Sequence, residues 1–164
     1  MVAIMVIVLI LILYFNNDIG LRRWAIEKDA RISHEIPDDW EVTKSITDNI
    51  YAMIFYDKDL NNHTFSIYEN RKGPSFGYFF RGGGSMTVED NDIAEYQVEG
   101  CQERIYLSIN KQQIIKVEID KGDIVETINI DADKPFALIL PNNIRDIKFY
   151  NMNNMVVQPI LQSL

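Results

Sequence analysis

The residues best suited to ligand chemistry are arginines and aromatic side chains in the segment RKGPSFGYFFRGGGS, positions 71–85. Phe76 and Tyr78 have the alternate spacing of one strand face, and Arg71 and Arg81 flank them. Aromatic rings stack on flat ligand groups, and arginine pairs with acidic ones. We therefore predict a ligand-binding surface of Arg71, Phe76, Tyr78 and Arg81 for a protein or an envelope polymer. The alternative is an aromatic strand that packs in the core and precedes a glycine-rich turn.

A cysteine nucleophile is the second chemistry to consider, because Cys101 is the single cysteine of the chain. It would need a histidine base, and of the two histidines His63, at a predicted hairpin tip, is a better partner than His34. The pattern instead favours a free, partly buried thiol. Because no standard hydrolase motif occurs, we predict no catalytic residues. The alternative is a membrane-tethered hydrolase that uses carboxylates or Cys101.

The chain offers weak signals for metals, cofactors and nucleic acid. The segment DKDLN at 57–61 has the spacing of a calcium loop, but Asn62 and Tyr68 stand where such a loop needs glycine and glutamate. A polar hairpin turn is the favoured interpretation. We predict no metal site and no cofactor. A net charge of −8 argues against nucleic acid as a partner, because phosphate binding needs a basic face.

These residues must be positioned by a chain that begins with an apolar leader, MVAIMVIVLILILYF at 1–15. A helix that is apolar on all sides must be buried in lipid or protein. The leader lacks the basic start and the small-residue cleavage site of a secretory signal. We therefore predict an uncleaved, single-pass transmembrane anchor over residues 1–18 that contacts the lipid bilayer through residues 1–15. At roughly 22 Å the leader is shorter than the hydrocarbon core, and residues upstream of the given start would supply the missing length.

The predicted membrane interface follows the leader. Tyr14 and Phe15, and then Arg22, Arg23 and Trp24, are of the types enriched at lipid headgroups. The cations after the leader favour a cytoplasmic body by the positive-inside rule, but long domains translocate largely regardless of charge. We expect an extracytoplasmic body in the cell membrane by analogy with exported proteins that have an N-terminal anchor.

Two regions follow the anchor in the predicted organisation. Residues 19–45 are expected to form a juxtamembrane helix over 19–32 that continues the anchor, and a linker near 33–45, because Pro37 prevents the helix from continuing. From residue 46 onward the hydrophobic period is two, as in the runs 94–98, 105–109 and 115–119. Each run is expected to have one face on a core and the other in water, with Tyr106 on the water side of its run. Residues 46–164 are therefore predicted to be one antiparallel β domain.

The fold class predicted for the whole chain is all-β, an antiparallel β-sandwich or barrel-like domain behind an N-terminal helix. Nine to ten short strands fit the pattern. The runs 50–56 and 136–140 are apolar on both faces and are expected to be central strands. The run 124–130 loses its alternation at Glu126 and is expected to be a bulged or edge strand.

The predicted function is that of a single-pass membrane-anchored protein with a non-catalytic β domain for binding or assembly at the membrane surface. Besides the hydrolase, the second alternative is a structural subunit of a membrane complex, in which residues 1–32 pair with another membrane protein. That alternative predicts that a body without its anchor exposes a large apolar patch.

Overall fold

A computed structural model of the protein describes residues 2–15, 19–73, 76–86 and 93–164, with the side chains of its first helix given up to residue 12. Half of the chain is β-strand. The described helices are α1 (Val2–Phe15) and α2 (Ile26–Ser33), with a short 3₁₀ helix (Arg23–Ala25) before α2. The described strands are β1 (Glu41–Ile46), β2 (Ile50–Tyr56), β3 (His63–Arg71), β4 (Gly77–Gly84), β5 (Ile93–Gln97), β6 (Glu103–Ser108), β7 (Ile114–Asp120), β8 (Val125–Asn129), β9 (Phe136–Pro141), β10 (Asp146–Asn151), β11 (Val156–Val157) and β12 (Pro159–Gln162).

The strands form three sheets of four strands each. The first sheet has the order β1-β2-β3-β4, the second β12-β5-β6-β9 and the third β11-β10-β7-β8. Every pair is antiparallel except β12 with β5, which is parallel, so the second sheet is mixed rather than antiparallel as predicted. Pro159 opens β12 at the edge of this sheet, where its missing N–H leaves no ladder bond unmade. The described sheets do not close into a barrel.

Three hydrophobic clusters hold the layers together. One lies between the first and second sheets and contains Ile54 and Leu107. Another lies between the second and third sheets, around Phe149 and Tyr106. The third cluster covers the outer face of the first sheet, where α2 contributes Ile26. The second sheet therefore has apolar neighbours on both faces.

This stacking corrects the prediction that each alternating run has one face in water. Tyr106 lies on the predicted polar side of its run, yet it is fully buried because the third sheet covers it. The same stacking explains the run 136–140, which forms β9. This strand is at the edge of its sheet rather than at the centre, and its side chains on both faces meet a neighbouring layer. The run 50–56 is confirmed as a buried inner strand, and β8 is confirmed as an edge strand.

The segment after the apolar helix differs from the predicted continuous helix. Ile19 and Leu21 are extended and form bridges with Phe76 and Tyr78 beside β4. Helical structure resumes only at Arg23, because the backbone of Gly20 and Leu21 is bonded to β4 instead of to a helical turn. In addition, β1 begins at Glu41, inside the predicted linker, and the linker residue Ile36 is buried against the first sheet.

α2 is fastened to the first sheet by polar contacts as well as by its apolar side. The Lys44 ammonium of β1 donates to Glu27 at 2.8 Å. This bond lowers the pKa of Glu27 and raises the pKa of Lys44. Tyr68 donates to Asp29 at 2.7 Å, and Arg31 donates to the carbonyl oxygen of Pro37 at 3.0 Å. These contacts make the helix a fourth layer of the body.

α1 is apolar on all sides and lies apart from the three clusters. Its ten large apolar side chains between Val2 and Ile12 are 47–77% exposed. Within the described part of the chain, no helix has the length and hydropathy that crossing a membrane requires. The side chains of Tyr14 and Phe15, two of the predicted interface residues, lie outside the described ones, as do residues 16–18 of the predicted anchor.

Candidate functional site

The four residues of the predicted ligand surface lie on two opposite faces of the first sheet. Register pairs Arg71 with Gly77 and Asn70 with Tyr78, so Arg71 and Tyr78 point to opposite sides. Tyr78 is buried on the α2 side, where its ring meets the Tyr51 ring edge-on at 6.2 Å. A bulge near Arg81 shifts the register of β4, and the Arg81 side chain bonds to Glu69 on the same face as Arg71. The structure therefore brings the two arginines together and separates them from Tyr78.

Glu69 is the residue that organises the arginine side, and the sequence reasoning missed it. Its Oε2 accepts a hydrogen bond from Arg81 Nε at 2.7 Å and a second one from the same guanidinium. Arg71 Nε lies 3.9 Å from the same oxygen. The Arg71 guanidinium also stands over the Phe79 ring at 4.7 Å from its centroid. The sequence signal for Glu69 was its place at the charged end of β3, but only the β3–β4 pairing shows which cation it meets.

Cys101 completes this cluster. Gly100, with φ of +79°, allows the tight turn between β5 and β6, which is closed by a hydrogen bond from Cys101 N to Val98 O of 3.1 Å. The turn brings the Cys101 thiol to 3.4 Å from Glu69 Oε1, to which it donates. Burial, and then the Glu69 carboxylate, raise the pKa of the thiol to about 11. At neutral pH the group is therefore a protonated hydrogen-bond donor, which is the opposite of an activated nucleophile.

His63 is too far from Cys101 to act as its base. It stands at the start of β3, whereas the thiol contacts Glu69 six residues further along the same strand, roughly 20 Å away. His63 instead lines a groove of about 420 Å³ together with His34 and Trp40. The sequence did not indicate that His34 and His63 line the same groove, because 28 residues lie between them.

Hydrogen bonds displace the pKa of several described carboxyl groups. The described carboxyl groups with a displaced pKa are Glu27, Asp57 and Glu118, and each pKa is lowered by hydrogen bonds from neighbouring groups. Asp57 accepts from the backbone N–H groups of Asn61 and Asn62 at 2.9 and 3.2 Å. Its carboxylate thus closes the β2–β3 turn, as the hairpin interpretation predicts.

Three members of this cluster, Glu69, Arg71 and Cys101, line an open cleft of about 570 Å³. Because Arg81 already neutralises Glu69, the half-exposed Arg71 and the exposed Lys72 give the cleft a positive balance. Its walls can bind an anion through these cations and through amides. The lining residues are Asn49, Glu69, Asn70, Arg71, Lys72, Gly100, Cys101 and Gln102.

The predicted interface residues of the body lie next to the same hairpin. Phe76 forms its backbone bridge with Ile19 and is half-exposed. Trp24 is 78% exposed, and Arg22 and Arg23 beside it are exposed as well. Phe76, predicted as a ligand contact, is therefore grouped with the residues predicted to lie at the membrane rather than with the arginine cleft.

Comparisons with known proteins assign no relative to this chain. No model of a protein family, no curated protein and no solved structure matches it.

Proposed function

We propose that this protein is anchored in a membrane through α1 and that its β body is a non-catalytic module for binding or assembly at the membrane surface. The observation that carries the proposal is the exposure of ten large apolar side chains of α1, between Val2 and Ile12. None of them belongs to the described hydrophobic clusters of the body. Apolar surface of this extent is unfavourable in water, at about 25 cal/mol for each Å² left exposed. A bilayer is the environment that removes this cost for a helix without a polar face.

The length of α1 constrains how it would be accommodated. Its 14 residues span about 21 Å, less than the roughly 30 Å of a hydrocarbon core. A short apolar helix is matched to a bilayer by local thinning and by flanking side chains that reach the headgroups. Arg22, Arg23 and Trp24 are suited to that role. We further propose that the body faces the extracytoplasmic side, for which protease accessibility in intact and lysed cells is the test.

Fractionation of cells that express the full chain tests the anchor. We expect the protein in the membrane fraction, resistant to alkaline carbonate. The variant I7K/I10K should move to the soluble fraction, because each lysine costs about 3 kcal/mol at the centre of a membrane helix. The matched control I124K/V125K changes two side chains of similar exposure on the β7–β8 hairpin and should stay with the membrane. Recovery of the unaltered chain in the soluble fraction, or a trimmed leader, would contradict the proposal.

The binding role of the body rests on the cleft at Glu69. We propose that Arg71 recognises an anionic group of an envelope polymer or partner protein there. Pull-down of envelope components should fall with Arg71→Gln. Arg104→Gln is the matched control, because Arg104 also pairs with a glutamate, Glu95, and its side chain has nearly the same exposure, 40% against 41%. Equal recovery by the two variants would remove the cleft from the proposal.

A further inference from the structure

We propose that the body docks on a bilayer of anionic phospholipids with one defined end, and this inference rests on the membrane anchoring proposed above. The membrane-facing end consists of Arg22, Arg23, Trp24, Lys72 and Phe76. Three of these residues follow α1 in the chain, and the other two belong to the connection between β3 and β4.

Covalent connectivity places this end beside the anchor. The backbone N–H of Gly20 donates to Phe76 O and that of Leu21 to Tyr78 O, both at 2.8 Å, so the chain is held on the body from Ile19 onward. Phe15 is four residues before Ile19, and a fully extended chain of that length spans about 14 Å. The Ile19–Phe76 bridge therefore lies within about 14 Å of the end of α1, whichever path the intervening residues take.

Two glycines make this attachment close. A side chain at Gly20 would stand 2.7 Å from Tyr78 O, and one at Gly77 would stand 2.9 Å from the Gly20 carbonyl group. Leu21 packs against the cluster beneath α2. Residues 19–21 are thus seated closely on the body, next to Phe76 of the membrane-facing end.

The chemistry of this end fits the headgroup region. Trp24 is 78% exposed and Phe76 is 50% exposed, although both are large aromatic side chains. Aromatic rings at the membrane interface bury their apolar faces while the surrounding polar groups stay hydrated. The two rings supply apolar contact at this end of the body.

Charge distinguishes this end from the rest of the molecule. Arg22, Arg23 and Lys72 are exposed cations in a chain of net charge −8. The nearby Glu69 is paired with Arg81. Asp48 is close enough to Tyr78 to raise its pKa, whereas Arg23 lowers it. An anionic surface attracts this end and repels the acidic remainder, so electrostatics favours docking through this end.

Tryptophan fluorescence of the full chain in lipid vesicles tests the contact. In the variant W40F, Trp24 is the single emitter. With vesicles of phosphatidylglycerol and phosphatidylcholine we expect a blue shift, and quenching when the acyl chains are brominated. The converse variant W24F leaves Trp40, which packs under α2, and should show neither change. Unquenched Trp24 in protein that sediments with the vesicles would overturn the inference while leaving the anchor intact.

Charge removal tests the lipid preference. The measured quantity is the ratio of partition coefficients into vesicles with and without phosphatidylglycerol. In R22Q/R23Q/K72Q this ratio should fall by about fivefold for each cation removed. The control K121Q/K134Q/K148Q removes three exposed cations of the third sheet and its connections and should keep the ratio. An unchanged ratio in R22Q/R23Q/K72Q would overturn the docking inference, whereas failure of the unaltered chain to bind either vesicle would overturn the anchor itself.

Discussion

Single residues near Glu69 show how burial and pairing decide reactivity. The Cys101 thiol and the Arg81 guanidinium both donate to the Glu69 carboxylate, which also forms an ion pair with Arg71, and the thiol is the weaker of the two donors. The hydrogen bond from Cys101 to the Glu69 carboxylate exists only while the thiol keeps its proton. The same contact that fixes the side chain therefore suppresses its nucleophilicity.

Alkylation kinetics measure this effect. With its pKa raised to about 11, Cys101 should react with iodoacetamide at pH 7 roughly two orders of magnitude more slowly than an ordinary thiol. The rate should rise about tenfold per pH unit up to the pKa, because the thiolate is the reacting form. E69Q removes the anion and leaves Arg81 without its partner, so the pKa should fall and the rate at pH 8 should increase. E126Q, a distant exposed carboxylate, is the control. A rate in E69Q equal to that of E126Q would refute this account of the thiol.

At the scale of elements, the attachment of residues 19–21 to β4 depends on the absence of side chains. Gly77 has φ of +98°, and a Cβ there would lie 2.9 Å from Gly20. Gly122 has nearly the same φ, +96°, but nothing lies within 4 Å of an added Cβ. The two positions thus share a backbone conformation and differ in crowding. Comparing them separates the cost of the backbone conformation from the cost of the steric clash.

Alanine at these two positions gives the corresponding prediction. Each substitution should cost about 1–2 kcal/mol for the left-handed backbone. G77A should cost about 1–3 kcal/mol more, because the close approach to Gly20 must widen. Urea denaturation measures the difference, and amide exchange at Leu21 should quicken in G77A alone, since its bond to Tyr78 O is the one displaced. Equal losses of unfolding free energy in G77A and G122A would show that residues 19–21 do not pack closely on β4.

For the whole molecule, the stacking of layers predicts cooperative unfolding. The second sheet contributes to two clusters, and the first sheet shares one of them and carries α2 on its other face. No layer can leave without exposing the apolar face of its neighbour. A substitution that destabilises the cluster around Phe149 should therefore also lower the stability measured at Trp40, on the far side of the first sheet.

The variant F149A tests this coupling. Phe149 is fully buried and stacks on Phe136 at 6.0 Å, so its removal should cost about 3–5 kcal/mol. In a W24F background, the Trp40 emission and the far-ultraviolet circular dichroism should shift to lower urea together. M152A, at an exposed position just after β10, should change stability by less than about 0.5 kcal/mol. A Trp40 transition that stays in place would mean that the layers unfold separately.

The local sequence pattern predicts much of the fold but little of the candidate site. The alternation in the runs 94–98 and 105–109 and the uninterrupted apolar run 50–56 predict strands that the structure confirms, because strand periodicity is a local property. The same alternation predicts a solvent-exposed position for Tyr106, but the third sheet covers this side chain. The sequence analysis placed Arg71 and Arg81 on one surface with Tyr78. The structure separates Tyr78 from the two arginines, because the β3–β4 register that sets the faces is not a local property.

The amino-acid sequence by itself determined the apolar first helix, the β-rich character of the body and the acidic charge, since each follows from composition or from the period of neighbouring residues. The tertiary structure alone decided that three sheets stack beneath α2, that Glu69 gathers two arginines and Cys101, and that residues 19–21 join β4. These are contacts between residues far apart in the chain, and their geometry depends on strand register and layer packing, which no local pattern encodes.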